Sequence, residues 1–365
     1  MLKIKAAVFR DDSGIPTIEE LDLTGPGPGE VLVRITATGV CHTDLKSAGA
    51  GSPVPKPTVL GHEGAGIVEE VGAGVTKLAA GDPVVMSFDS CGHCPSCNDA
   101  QPSYCHNSNP FVSSRPESEY YLKADGAPVH GDFFAQSSFA SHAIGTERSV
   151  VKVRDDAPLE QLGPLGCGVQ TGAGTILNEF KMKPGQSLAV FGSGTLGLSA
   201  IMAARISGAA RIIAIDRHAH RLELAAELGA DDTILAGNEA IDEQVLDLTG
   251  GGVDFTLDTT SVPEVMVQAI QVLAPRGTCA FVTGAWDGTP LPIPVRHLVG
   301  GGRMIRGIGE GGSNPEVFIP RLVDFFMDGR LPIDRLSKKY PFEDIAQAFH
   351  DSEQGDTVKP LLMMG

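Results

Sequence analysis

The chain has 365 residues, 42% hydrophobic and 20% charged, which is the balance of a globular protein long enough for two domains. Lys and Arg number 28 against 45 Asp and Glu, and the formal charge of −17 repels nucleic acid and anionic membrane, so neither is expected as a partner. No basic segment followed by an apolar run opens the chain, and no apolar stretch reaches the length of a membrane span. A cytoplasmic location is expected, where thiols stay reduced and bind metal.

Residues 1–168 read as short strands separated by Gly and Pro. Strands are expected at 1–7, 31–37, 66–71 and 82–86, with another near 138–143, and they predict a β-rich barrel carrying loops. The polar stretch 107–135 reads as an irregular surface excursion. The pattern changes after Gly168. A buried strand at 187–191 is followed by a helix at 195–207 and a strand at 211–215 that ends on Asp216. Helices at 219–229, 239–249 and 263–273 then alternate with strands at 253–258 and 278–283. Such alternation predicts an α/β fold with a parallel, doubly wound sheet. Two more helices are expected near 315–329 and 342–351.

The loops of the first part hold most of the chemistry. Of seven cysteines, Cys91, Cys94, Cys97 and Cys105 form a C-x2-C-x2-C-x7-C array in a lobe rich in Pro, Asn and Ser. Four thiolates make a closed tetrahedral zinc site, and the metal supplies folding energy that an apolar-poor lobe lacks. A pair of disulfides is the alternative reading. Cys41 and Cys167, with His62 between them in sequence, supply two thiols and an imidazole on three loops. Taken singly, each is an ordinary buried side chain. Together they can make a second zinc site whose fourth position is open, as catalytic sites are. Cys279 lies in an apolar strand and reads as an inert core thiol.

Gly192-Ser193-Gly194-Thr195-Leu196-Gly197 is G-x-G-x-x-G between an expected strand and an expected helix. In that setting the glycines allow a tight turn and close approach of a pyrophosphate to the helix N-terminus. Asp216, nineteen residues past Gly197, is placed to accept the ribose hydroxyls and repel a 2′-phosphate, which favours NAD over NADP. A solvated strand-end acid is the other reading, and the adjacent Arg217 softens the exclusion of NADP.

Gly61-His62-Glu63, the four-Cys lobe, Gly163-Pro164-Leu165-Gly166-Cys167-Gly168, the Gly-rich loop and Lys359-Pro360 resemble the zinc-dependent alcohol dehydrogenases of the medium-chain dehydrogenase/reductase family, over nearly the whole chain. Within that family the likeness is greatest to the aryl-alcohol (benzyl alcohol) and geraniol dehydrogenase branch. Alcohol dehydrogenases are the known case of a Cys2His catalytic zinc. The resemblance implies a Rossmann NAD-binding domain, 169–309, inserted into a GroES-like catalytic domain, 1–168 and 310–365. It implies two zinc ions per chain, a catalytic one on Cys41, His62 and Cys167 and a structural one on the four-Cys lobe. It makes Glu63 a carboxylate that approaches the metal during ligand exchange, and Asp44 a group that orients His62. Thr43 would bond the substrate oxygen and start a proton relay, His42 would meet the cofactor pyrophosphate, and Arg221 the adenosine. Many family members carry a His five residues after the first Cys ligand; Lys46 stands there in this chain, either as the relay's outer end or as a solvated residue. The implied reaction is the reversible oxidation of an aryl or allylic primary alcohol to the aldehyde by NAD, in a homodimer or homotetramer. The alternatives are the same fold acting on another alcohol or a formaldehyde adduct, and a non-catalytic NAD(H)-binding zinc protein.

Overall fold

The computed structural model describes residues 1–111, 122–237, 240–283 and 288–365. The chain forms two compact units, one of Met1–Cys167, Asn314–Gly329 and Ile333–Gly365, the other of Gly168–Ser313 and Arg330–Pro332.

The first unit is built on two sheets. A five-stranded sheet runs in the order Thr58–Val59, Leu2–Phe9, Thr17–Leu23, Leu122–Ala124, Ala127–Val129. The other sheet has seven strands, and its axis is Glu30–Gly39, whose sequence EVLVRITATG is apolar enough to be buried on both faces. One edge of that strand pairs antiparallel with Gly64–Val71. The opposite edge is shared by His142–Thr146, along Glu30 to Arg34, and by Lys359–Met363, along Ala37 to Gly39. The end of the chain is thereby stitched beside residues that lead directly into Cys41.

Two expectations are corrected in this unit. The strand expected near 138–143 is displaced to His142–Thr146, because the backbone N–H groups of Ser138 and Phe139 are spent on the carbonyls of Gly61 and Leu60. The stretch 107–135 is not a surface excursion where it is described. Residues 112–121 lie outside the described residues, but beyond them come two strands of the five-stranded sheet and a turn at Phe133–Ala135. Four of its large apolar side chains, Leu122, Val129, Phe133 and Phe134, are buried.

The second unit holds a six-stranded parallel sheet in the order Asp232–Leu235, Arg211–Asp216, Ser187–Phe191, Val253–Asp258, Leu273–Phe281, Met304–Gly307. Numbered along the chain this is 3-2-1-4-5-6, the order of dinucleotide-binding folds. Helices Thr195–Ile206, Ala219–Glu227, Ile241–Thr249 and Pro263–Gln271 connect the strands. The strand expected at 278–283 starts earlier, at Leu273, because a register shift between Val253 and Phe255 lets residues 274–277 bulge within it. Arg276, at φ 65°, takes up the bend. The two late helices are Pro315–Met327 and Ile345–Gln354. Among the described residues, no helix is long and apolar enough to cross a membrane.

Candidate active site

Cys41 lies just past Glu30–Gly39 and caps the helix His42–Ala48. Asp44, at the third helical position, reaches back so that one carboxylate oxygen accepts the Cys41 N–H at 2.9 Å. The other oxygen accepts from the Gly61 N–H at 3.2 Å and pairs with His62 Nδ1 at 2.8 Å. One fully buried carboxylate thus fixes two loops to each other. Cys167 follows the turn Gly163–Gly166, whose last carbonyl accepts from Ser87 Oγ at 2.7 Å. The ligand-type atoms of Cys41, His62 and Cys167 lie within 4.8 Å of one another, and all three residues are buried.

The electrostatics suit a cation. A hydrogen bond from the Cys167 thiol holds the Cys41 thiol well below its ordinary value, overcoming the opposing effect of burial, and His62 and Lys359 add to this. Burial disfavours charge on His62, but Asp44 and Cys41 outweigh it and raise the ring well above its ordinary value. Asp44 takes Nδ1, so Nε2 is the atom left for a metal; it is buried and makes no hydrogen bond. Two thiols, one of them acidic, and an oriented imidazole fit zinc and leave a fourth position. Thr43 Oγ1 stands 3.9 Å from Cys41 Sγ, so its hydroxyl borders that space. His42 and Lys46 are exposed on the same helix.

Glu63, next in the chain after His62, is fully buried, and both its oxygens face Lys359 Nζ, at 2.9 and 2.7 Å. Burial raises the Glu63 carboxyl. Burial works the other way on Lys359, but Glu63 and Cys41 outweigh it and hold the ammonium charged.

Three rings that the sequence reading passed over close round His62. Phe134 stacks on the imidazole at 4.5 Å between centroids, Phe133 meets it edge-on at 5.5 Å, and Phe111 packs against Phe134 at 5.8 Å. The turn that delivers Phe133 and Phe134 is left-handed at Asp132, Phe134, Ala135 and Ser137, which are costly positions for residues other than glycine. Side-chain bonds hold it there. Ser137 Oγ donates to the Val59 carbonyl at 2.7 Å, and Gln136 bridges the Gly64 N–H, at 3.1 Å, to the His62 carbonyl, at 3.0 Å. The pair Phe133-Phe134 in an otherwise polar stretch was the available signal.

The four-Cys lobe has Cys91, Cys94, Cys97 and Cys105 sulfurs within 4.8 Å of one another, with pairs at 3.5 to 3.9 Å. A tetrahedron of Zn–S bonds of about 2.3 Å has edges of about 3.8 Å, whereas a disulfide needs about 2.0 Å. The spacing fits a four-thiolate zinc site, and all four thiols are free. The backbone N–H groups of Cys94 and Cys91 donate to the sulfurs of Cys91 and Cys105, and the Asn107 amide donates to Cys91. The Cys91 thiol is held at about 5 by backbone N–H donors, His93 first, while burial and Cys94 push Cys97 to about 11. The acidic thiol is the first anion available to a metal.

In the second unit Gly192 takes φ 98° directly after Ser187–Phe191, and Gly194 opens the helix Thr195–Ile206. A Cβ on Gly197 would collide with the Gly192 carbonyl, whereas one on Gly194 would meet nothing, so open space lies over the helix N-terminus. That is the cradle a pyrophosphate needs. Thr195 is buried in the first turn and Leu196 half-buried. Asp216 is 7% exposed and ties this loop down: it accepts from the Ser193 N–H at 2.6 Å and the His218 N–H at 2.8 Å. Arg217 is exposed and donates to His218, and Arg221 is half-buried at the start of Ala219–Glu227.

Comparison with known proteins agrees with this geometry. The alcohol dehydrogenase GroES-like domain matches residues 27–155, and the zinc-binding dehydrogenase domain matches 195–327. A geraniol dehydrogenase from Castellaniella defragrans is 44% identical over 99% of this chain and 98% of its own. An alcohol dehydrogenase class-3 from Myxine glutinosa is 34% identical over 100% of this chain and 98% of its own. The crystal structure of benzyl alcohol dehydrogenase from Acinetobacter calcoaceticus superposes with a TM-score of 0.96 at 42% identity, covering 100% of both chains.

Proposed function

Since the chain belongs to the zinc-dependent alcohol dehydrogenase family, we propose that it oxidises an aryl or allylic primary alcohol reversibly to the aldehyde, with NAD as acceptor and with Cys41, His62 and Cys167 holding the catalytic zinc. The observation that carries this reading is the buried trio of Cys41, His62 and Cys167, with the imidazole oriented by Asp44 and the Thr43 hydroxyl beside Cys41. The bound zinc supplies a Lewis acid that makes an alcohol hydroxyl more acidic, and NAD supplies the place for the hydride.

The chain's own residues do the rest. Thr43 Oγ1 accepts the hydroxyl proton and hands it outward along the face that carries His42 and Lys46. Asp44 keeps the His62 proton on Nδ1, so that Nε2 stays a ligand. Phe134 and Phe111, with Phe133 packed behind them, bring apolar rings beside His62, which supports a benzylic or allylic alcohol over a small aliphatic one. Gly194 admits the NAD pyrophosphate at the N-terminus of Thr195–Ile206, and Asp216 receives the ribose hydroxyls, with Arg217 and Arg221 alongside. Cys91, Cys94, Cys97 and Cys105 hold a second, structural zinc, which makes two per chain. Seven free thiols support a cytoplasmic location. The edge strand Met304–Gly307, with Met304 exposed, supports a homo-oligomer.

The test is NAD(P)H formation by the purified protein on benzyl alcohol, geraniol, ethanol and sorbitol, with a metal count beside it. Turnover of the first two with a preference for NAD is expected. Turnover of ethanol alone would discard the substrate class. One zinc per chain, with Cys41→Ser and Cys167→Ser still active, would discard the catalytic trio.

A further inference from the structure

In the second unit Ser187–Phe191 and Val253–Asp258 are neighbours, and the strand order reverses between them. The crevice outside the carboxyl ends of such a pair is where doubly wound sheets take a dinucleotide. One lip of it is the Gly192 turn, and the other is Asp258-Thr259-Thr260-Ser261. The two are pinned together. The Thr259 N–H donates to the Phe191 carbonyl at 2.9 Å, and the Thr259 hydroxyl faces the carbonyls of Phe191 and Gly192 at 3.0 and 3.2 Å. A Cβ on Gly192 would collide with that hydroxyl. Asp258 holds the second lip in shape. It is fully buried, with one oxygen accepting from the Thr260 hydroxyl at 2.8 Å and the other from the Ser261 N–H at 3.2 Å. Ser261 is left-handed at φ 59°, and its own hydroxyl donates to Thr283 Oγ1 at 3.1 Å. Among the described residues none forms an ion pair with Asp258. Burial pushes its carboxyl up to about 6, so at pH 8 it is a buried anion held only by hydroxyl and N–H donors. Such a charge costs the fold, and one retained in a ligand crevice is a mark of function.

With the adenosine ribose at Asp216 and the pyrophosphate at the Gly192–Gly197 loop, the nicotinamide half of the cofactor belongs on the Val253–Asp258 side of the crevice. Its ring is cationic in NAD+ and neutral in NADH. We infer that Asp258 shifts the balance of this site toward the oxidised cofactor, its carboxylate attracting the charge that only NAD+ carries. The inference rests on the reading of the Gly192–Gly197 loop as the NAD site. Low local dielectric lets one uncompensated carboxylate act over several ångströms without touching the ring.

The test is calorimetric titration of the full-length, zinc-loaded protein with NAD+ and with NADH at pH 8. Both forms share the pyrophosphate, so the ratio of their dissociation constants isolates the charge on the ring. Asp258→Asn keeps the shape and removes the charge. NAD+ is expected to bind it ~10-fold more weakly, which is what a unit charge exerts over about 12 Å at an effective dielectric of about 20, while NADH stays within ~3-fold of wild type. Asp258→Ser, also neutral but smaller, is expected to shift the ratio alike, and it carries the test if the amide does not fold. Equal weakening of both forms would leave Asp258 only the pinning of the turn, and it overturns the inference. So does a ratio unchanged from wild type. Failure of the underlying reading looks different: the wild type itself would bind neither form.

Discussion

Asp44→Asn tests how the metal trio is assembled. The native carboxylate accepts three N–H donors, from His62 at 2.8 Å, Cys41 at 2.9 Å and Gly61 at 3.2 Å, with no solvent access. Asparagine keeps the shape but has one accepting oxygen and one NH2 group. If its oxygen serves His62 and Gly61, the NH2 group confronts the Cys41 N–H, and a buried donor without an acceptor costs ~1–3 kcal/mol. If its oxygen serves Cys41, the NH2 group faces His62 Nδ1 and selects the tautomer protonated on Nε2, the atom a metal requires. Either arrangement weakens the metal by ~10–100-fold, or about 1.4–2.7 kcal/mol. The assay is competition with graded chelator, reading metal per chain and activity together. The four-Cys lobe is an internal control, because Asp44 makes no bond to it. The variant should therefore lose one metal early and the second at the wild-type chelator concentration. Both metals retained with affinities within ~3-fold of wild type would refute the reasoning.

Other substitutions probe separate features. Phe134→Ala removes the ring stacked on His62 at 4.5 Å, and kcat/KM for benzyl alcohol relative to ethanol should fall by ~2–12-fold, the worth of an aromatic pair; an equal loss on both alcohols would deny the ring a part in selectivity. Cys105→Ser takes one of four sulfurs from the lobe, so metal content should drop by one per chain and the melting temperature should fall; an unchanged melt would show that the lobe stands without metal. Asp351 accepts bonds from Tyr340, Gln347 and Lys338, which hold its carboxyl at about 2. This depressed value makes its contribution complete above the unfolded value near ~3.9 and lost as the pH falls through about 2. Urea midpoints followed between those limits should drop less in Asp351→Asn than in wild type, and parallel profiles would contradict the assignment.

Much of the architecture is legible because it is written locally. Ser187–Phe191, the Gly192 turn and Thr195–Ile206 form one strand–turn–helix whose signals lie within twenty neighbouring residues, and the parallel sheet follows from repeating the unit. The four-Cys lobe is legible for the same reason, its sulfurs being brought together within fifteen residues. Cys41, His62 and Cys167 come from three distant loops, so spacing alone could not group them; the family resemblance did, and the structure brings their ligand atoms together. What stayed hidden depends on partners far along the chain. Ser137 and Gln136 look like surface residues until Val59, Gly64 and His62 are placed against them, and only then does the turn drive Phe133 and Phe134 inward. Lys359 is legible only as part of the Lys359-Pro360 motif, and its pairing with Glu63 is not, because the two lie 296 positions apart.

That separation sets an order of events during synthesis. At about 5–20 residues per second, the ribosome takes about 15–60 s to travel from Glu63 to Lys359. Within that interval Gly168–Ser313 is complete and can fold as a nearly continuous piece, while the metal-bearing unit still lacks the strand that flanks Cys41. Cys41 and His62 are therefore made long before the strand that completes their surroundings. Metal binding and thiol oxidation draw on the same thiolates during those seconds, so the order of synthesis gives metal supply a part in assembly.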